Sequence, residues 1–343
     1  MVEQLSTGAE YTFFTFLNSK TAARAPELQR IALAPHPTRM LLILPMSVLL
    51  NFVDGLCDGT RGAHNPLHLL GEEAAPLAVF EGEEPRLPFG GLLARTDARL
   101  GVEGRPQSAS GQTTILTGVN APAALGHHKQ GFPNERLREI IREHSLFLRL
   151  ARLGVGPNLF ANAYASRFFA ARPRWVSATT VAVEAAGLPF RTAEDVRAGR
   201  ALYHDFTNRA LKAFGDDAPL RTPEEAADVL ASLAAGHRFT LYEHFIADRA
   251  GHEQDFDFAR DVLGELARFV RAVLARLDLA RTTVLLTSDH GNVEDLSTRN
   301  HTLNPVPTLA WGPARGSVAR RVRTLADITP AIVETLTAKE AAA

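Results

Sequence analysis

The feature that most constrains this chain is an apolar run, Thr283 to Thr287, that empties directly into Ser288-Asp289-His290-Gly291-Asn292. A short apolar run bounded by turn residues predicts a buried strand. A strand end that presents a carboxylate and an imidazole together is a natural place for a metal. A third potential ligand, His301, follows in the stretch Asn300-His301-Thr302-Leu303-Asn304-Pro305-Val306-Pro307. Taken alone, Ser-Asp-His-Gly also reads as a plain turn in which Asp289 caps the next segment. The two readings separate on what the other strand ends carry.

At 343 residues and 45% apolar content the chain can build one large α/β domain or two smaller ones. Its 37 basic and 38 acidic residues nearly cancel, so no global field recruits nucleic acid or an anionic membrane. The single cysteine, Cys57, excludes an internal disulfide framework and cysteine-based zinc clusters, which leaves Asp, Glu and His for any metal. The run Met40 to Val53 resembles a signal-peptide apolar region, but it starts far from the terminus and runs into Asp54-Gly55 without a small-residue cleavage site. It is also shorter than the roughly 20 residues a bilayer span needs. Residues 1–45 show no clear period and are expected to form a loosely attached extension, with the folded domain over 46–343. A cytoplasmic location is expected.

Ser47 to Val53 reads as the first core strand and delivers Asp54-Gly55 at its carboxyl end, where Asp54 is either a turn residue or a ligand. Asp58 and Arg61, in the same loop, read as solvated turn residues. Further on, Gln107 to Gly118 sets small hydroxyl residues beside glycine just before an apolar segment. This predicts a helix start whose N–H groups favour an anion. Five hydroxyl residues share that stretch, so the pattern by itself singles out none as a nucleophile.

Pro133 to about Leu153 reads as one helix stopped by Gly154, and Asn158 to Ala165 as a strand. The stretch 167–219 carries no sustained period and is expected to hold a small cap or lid. Thr222-Pro223-Glu224-Glu225 is a capping-box start for a helix closed by Gly236. Phe239 to Ala247 reads as a strand ending in Asp248-Arg249-Ala250-Gly251-His252. A sheet-packing helix from Phe256 to Leu277, a strand from Val306 to Trp311 and a last helix from Thr329 to Leu336 complete the pattern. This alternation predicts an α/β fold: a mostly parallel sheet with helices on both faces. Strands ending in Asp54, Asp248 and Asp289 would put three carboxylates on one rim.

Together these residues resemble the alkaline phosphatase superfamily, and within it the branch of the cofactor-independent phosphoglycerate mutases and phosphopentomutases. Thr287-Ser288-Asp289-His290-Gly291-Asn292 followed by His301-Thr302-Leu303-Asn304-Pro305-Val306-Pro307 looks like the mutase pattern. Asp248-Arg249-Ala250-Gly251-His252 is similar to that family's aspartate–histidine metal motif, and Asp54-Gly55 matches its first ligand. The nucleophile of this branch is a Ser or Thr followed by x-x-G-H. Ser108 fits, with Gly111 in register, Gln112 in place of the usual His and Thr117-Gly118 downstream; Thr113 has the wrong spacing. The resemblance implies one metal held by Asp54, Ser108, Asp289 and His290, and a second held by Asp248, His252 and His301. It also implies Ser108 as the catalytic nucleophile. The ligand types suit two divalent ions, Mn or Zn, with Mg a third option.

The family's large inserted domain has no counterpart here: once core elements are subtracted, only about 50 residues remain between Ser108 and Asp248 for a lid. A short lid encloses a mutase intermediate poorly, which favours hydrolysis of a small-molecule phosphomonoester or phosphodiester. A compact phosphomutase and a metal-stabilised protein without turnover are the rival expectations. Sulfatase chemistry is disfavoured, because Cys57 lacks a C-x-P-x-R setting. His128 and Lys129, close after the nucleophile segment, are candidates for holding the substrate phosphate, although a solvated loop is the commoner use of such residues.

Overall fold

In the computed structural model, which describes residues 46–338, strand β1 (Ser47–Val53) runs down the middle of a six-stranded sheet. The other strands are β2 (Leu92–Thr96), β3 (Asn158–Phe160), β4 (Phe239–His244), β5 (Thr282–Thr287) and β6 (Val306–Trp311), in the order β2-β6-β5-β1-β4-β3. β3, β4, β1 and β5 are parallel, whereas β6 is antiparallel to both of its neighbours. The α/β class and the mostly parallel sheet therefore agree with the sequence reading. The extension expected over residues 1–45 lies outside the described residues.

Both faces of β1 are buried, which is why it reads as a continuous apolar run rather than an alternation. Val48, Leu50 and Phe52 face one core cluster, while Leu49 and Val53 face another. The first cluster is covered by helices α1 (Ser108–Thr117), α2 (Glu135–His144), α3 (Leu146–Arg152), α4 (Ala178–Ala185) and, at the C-terminal end, Ile328–Thr337. The second is covered by α5 (Pro223–Ala235) and α7 (Phe256–Arg276), between which lies the short helix α6 (Ile246–Glu253). Each fully buried leucine of such a core contributes roughly 1.5–3 kcal/mol. Among the described residues, no helix is long and apolar enough to cross a membrane.

Several boundaries differ from the sequence reading for local reasons. The helix read over 133–153 is broken at Ser145, whose side chain accepts from Leu148 N–H and starts α3 as a new helix. β3 stops at Phe160. β4 ends at His244, and the chain turns at once into α6, so Asp248 and His252 stand on a helix and not on a strand end. β2, an edge strand with exposed Leu92, had no alternation to reveal it. Of residues 167–219, α4 packs against α1 and α2, while Val196, Tyr203 and Leu211 join Ala165 in a separate small cluster.

Candidate metal centre

Three segments meet at the carboxyl ends of the central strands. Asp54 follows β1, and its backbone N–H donates to His244 O at 2.9 Å. Asp289 and His290 follow β5. Ser288 Oγ accepts from Leu56 N–H and donates to His290 O, both at 2.9 Å, so the two loops are stitched together. Gly55 lies at φ +78, and a Cβ there would stand 2.8 Å from Asp248 Cα; only glycine lets α6 come this close. The chain returns through an antiparallel bridge between Gly291 and Thr302, which lays the His301 ring against His290 with centroids 3.6 Å apart.

The first group is Asp54, Asp289 and His290, all buried. His290 Nε2 lies 3.2 Å from Asp54 Oδ1, 3.5 Å from Asp289 Oδ2 and 2.9 Å from Ser108 Oγ. Ser108 is the first residue of α1. The other hydroxyls of that helix are turned back into it: Ser110 donates to Gln107 O, Thr113 to Ala109 O, Thr114 to Ser110 O and Thr117 to Thr113 O. Ser108 alone of the five faces the carboxylates.

The second group gathers Asp248, His252 and His301. Asp248 and His252, four apart, share one face of α6. His252 Nε2 is 3.3 Å from Asp248 Oδ2 and 3.3 Å from His301 Nε2, and His301 Nε2 is 3.6 Å from Asp248 Oδ1. The Nδ1 atoms of both imidazoles are tied to backbone carbonyls, His252 to Arg299 O at 2.8 Å and His301 to Pro106 O at 2.9 Å. These bonds orient the rings and point each Nε2 at Asp248, the second-layer arrangement metal-binding histidines use.

The donor set fits divalent cations. Among the described residues, Asp54 Oδ1, Asp289 Oδ1 and His290 Nδ1 are buried without a hydrogen-bond partner, a costly state for polar atoms that bound cations would relieve. Burial pushes the Asp54 carboxyl up to about 6. Burial, together with the Asp54 and Asp248 charges, pushes Asp289 well above the carboxylate range. Burial holds His290 and His301 down to about 4, so both stay neutral at physiological pH, as metal ligation requires.

Two amides that sequence reasoning gave no ligand-holding role complete the centre. Gln112 Nε2, at the position where the resembled family has His, donates to Asp289 Oδ2 at 3.2 Å and reaches Asp54 Oδ2 at 3.5 Å. Asn292 Nδ2 donates to Asp248 Oδ1 at 2.7 Å and to Asp248 O at 3.0 Å. Both fell inside the quoted motifs, so position was the available signal. His128 and Lys129 sit differently: the His128 ring contacts Val102 O at 3.3 Å, and the Lys129 ammonium donates to Gln130 O at 2.7 Å. Lys129 meets α1 only through its backbone, with its N–H donating to Ser110 Oγ at 3.0 Å. Asp58, expected to be solvated, is buried and paired with Arg95 at 2.6 Å.

Residues 221–340 match the family model described as the Metalloenzyme superfamily. The chain is 33% identical over 134 residues to a 2,3-bisphosphoglycerate-independent phosphoglycerate mutase of Halobacterium salinarum, covering 37% of this chain and 26% of that protein. It is 29% identical over 269 residues to a phosphopentomutase of a Methylobacterium species, covering 72% of this chain and 62% of that protein. The chain thus spans less than two thirds of either relative's length. The structure of PH0037 protein from Pyrococcus horikoshii shares the fold, with TM-score 0.50 at 16% identity, covering 88% of this chain and 100% of that one. The family-model match, confined to residues 221–340, agrees with the resemblance to the alkaline-phosphatase-like metalloenzymes that the motifs of this chain carry.

Proposed function

We propose that this protein is a metal-dependent phosphohydrolase that cleaves a small phosphomonoester or phosphodiester through a phosphoserine at Ser108. The observation that carries the reading is Ser108 Oγ, 2.9 Å from His290 Nε2 and at the first position of α1, beside Asp54 and Asp289, each of which keeps a buried Oδ1 without a hydrogen-bond partner among the described residues. Asp54, Ser108, Asp289 and His290 would hold one divalent ion, and Asp248, His252 and His301 a second, with Mn or Zn the ions that suit these ligands and Mg a third option. Such ions, when bound, supply a lowered pKa at an oxygen nucleophile and neutralise charge at phosphorus.

The chain's own residues do the rest. The amino end of α1 favours the anionic oxygens of a phosphoryl group next to the Ser108 hydroxyl. Gln112 and Asn292 each donate to one oxygen of Asp289 and Asp248 and so fix the orientation of the two carboxylates. Neutral His290 keeps one ring nitrogen with a free lone pair, which a cation can take. Phosphoryl passes to Ser108 Oγ as the ester bond breaks, and water then takes it from Ser108.

Water has access: the His252 side chain is 46% exposed, so the outer group is open to solvent. That favours release of phosphate over its return to a held intermediate. The alignment with a phosphopentomutase over 72% of this chain favours the second reading, a compact phosphomutase. Supplying Mn or Zn and following p-nitrophenyl phosphate and bis-p-nitrophenyl phosphate tests the first. Hydrolysis predicts one free phosphate or phosphomonoester per nitrophenolate. A phosphate ester converted to its isomer with no phosphate released would overturn hydrolysis in favour of the mutase, and metal uptake with no turnover would favour a structural role for the ions.

A further inference from the structure

Beside the metal centre lies a cavity of about 500 Å³ that the phosphoryl chemistry does not use. Its size falls in the range of roughly 300–1,000 Å³ typical of small-molecule sites. Aromatic side chains line it: Tyr164 and Phe168, with centroids 4.5 Å apart, Tyr203, and Phe245. Its polar lining includes Asn162, Arg167 and Ser177, and two further polar groups there carry an atom that, among the described residues, no protein partner takes. Glu243 has one carboxylate oxygen bonded to Thr179 and, among the described residues, no protein donor for the other. His204 has a buried Nδ1 without a partner.

The topology puts this cavity next to Ser108's neighbourhood. Glu243 pairs in register with Phe52, two residues before Asp54. Phe245 packs on Phe52 with centroids 6.4 Å apart, and between Glu243 and Phe245 the His244 carbonyl accepts the Asp54 N–H. Neighbouring strands are only about 4.8 Å apart, so a phosphoryl group at Asp54 and Ser108 would have its ester substituent beside the cavity mouth. Glu243 and Thr179 also lie on the sheet face that α1 covers.

We propose that this cavity takes the alcohol part of the substrate, and that this part carries a flat aromatic ring with a hydrogen-bonding edge, as in an aryl-alkyl or nucleoside phosphate. The proposal rests on the phosphoester reading of the metal centre and adds the substrate class. Aromatic faces reward a flat ring, and the Glu243 oxygen and His204 nitrogen require polar groups on its edge. A small polyhydroxy acid would leave the aromatic walls uncovered.

The test compares benzyl phosphate with ethyl phosphate, alcohols of similar leaving ability, and benzylphosphonate with ethylphosphonate as uncleaved ligands of Ser108→Ala protein loaded with Mn. The expected result is a preference of about tenfold for benzyl over ethyl in kcat/KM and in phosphonate affinity, falling toward one in Phe168→Ala. Phe168→Leu, which keeps most of the side-chain volume, should show an intermediate ratio and guards against simple misfolding. Equal binding of the two phosphonates, or a benzyl preference that survives Phe168→Ala, overturns the proposal. If neither ester is hydrolysed while benzylphosphonate keeps its advantage, the cavity assignment stands and the hydrolytic reading falls.

Discussion

Ser108 Oγ and His290 Nε2 stand 2.9 Å apart although 182 residues separate them in the chain. The hydroxyl belongs to the first turn of α1 and the imidazole to the loop after β5, so the contact exists only once α1 has packed on the sheet. Ser108→Ala removes the oxygen but leaves Asp54, Asp289 and His290. Turnover should fall by roughly three orders of magnitude or more, while metal content, measured by elemental analysis, stays close to that of the native protein. A variant that keeps native turnover would rule out Ser108 as nucleophile.

Asn292→Ala withdraws both hydrogen bonds from Asp248. Loss of an orienting partner of this kind typically weakens metal affinity about 10–100-fold. Calorimetric titration should show one of two ions bound more weakly, and chelation should lower the thermal midpoint of the variant at a lower chelator concentration. Two binding events of native affinity would show that Asn292 does not orient Asp248.

Gly111→Ala sets two effects against each other. Alanine favours the helix by about 1 kcal/mol, but its Cβ would stand 2.9 Å from Asp289 Cβ and 3.0 Å from Asp289 O. Overpacking of this kind costs about 1–3 kcal/mol and displaces the ligand, so the net effect is a loss. Denaturant unfolding should give a lower midpoint, and activity should drop with it. A midpoint raised above the native value would mean that the contact relaxes freely.

Glu243 gives a pH dependence with a defined sign. Burial pushes its carboxyl from 4.5 up to about 8. The folded state therefore holds this proton more tightly than the unfolded chain, and stability falls as pH rises between those values. Glu243→Gln removes the proton exchange. Measured at constant metal concentration, the stability of the native protein relative to Glu243→Gln should decline from pH 5 to pH 8. A difference that stays flat with pH would show that the Glu243 carboxyl is not raised.

The long periodic elements were legible in the sequence. β1, β5, β6 and α7 have the bounds their patterns suggest to within a residue or two, because runs buried on two faces and a continuous helical stripe are local properties. The candidate ligands were legible too, since Asp54, Asp248, His252, Asp289, His290 and His301 stand in recognisable short motifs. The break at Ser145 and the turn of β4 into α6 were not, because in both places the sequence pattern runs on without interruption and a single cap or backbone turn decides.

What the sequence by itself determined was the class of fold, the ligand chemistry and the small group of hydroxyls from which a nucleophile could come. The motif resemblance had already pointed to Ser108 among those hydroxyls; only the tertiary structure set its Oγ beside His290, bonded Gln112 and Asn292 to the carboxylates and closed the aromatic cavity beside Glu243. The physical reason is range. Period and capping act over a few residues and leave a trace in the string, whereas these contacts join segments tens to hundreds of residues apart and form when the two faces of one sheet are buried.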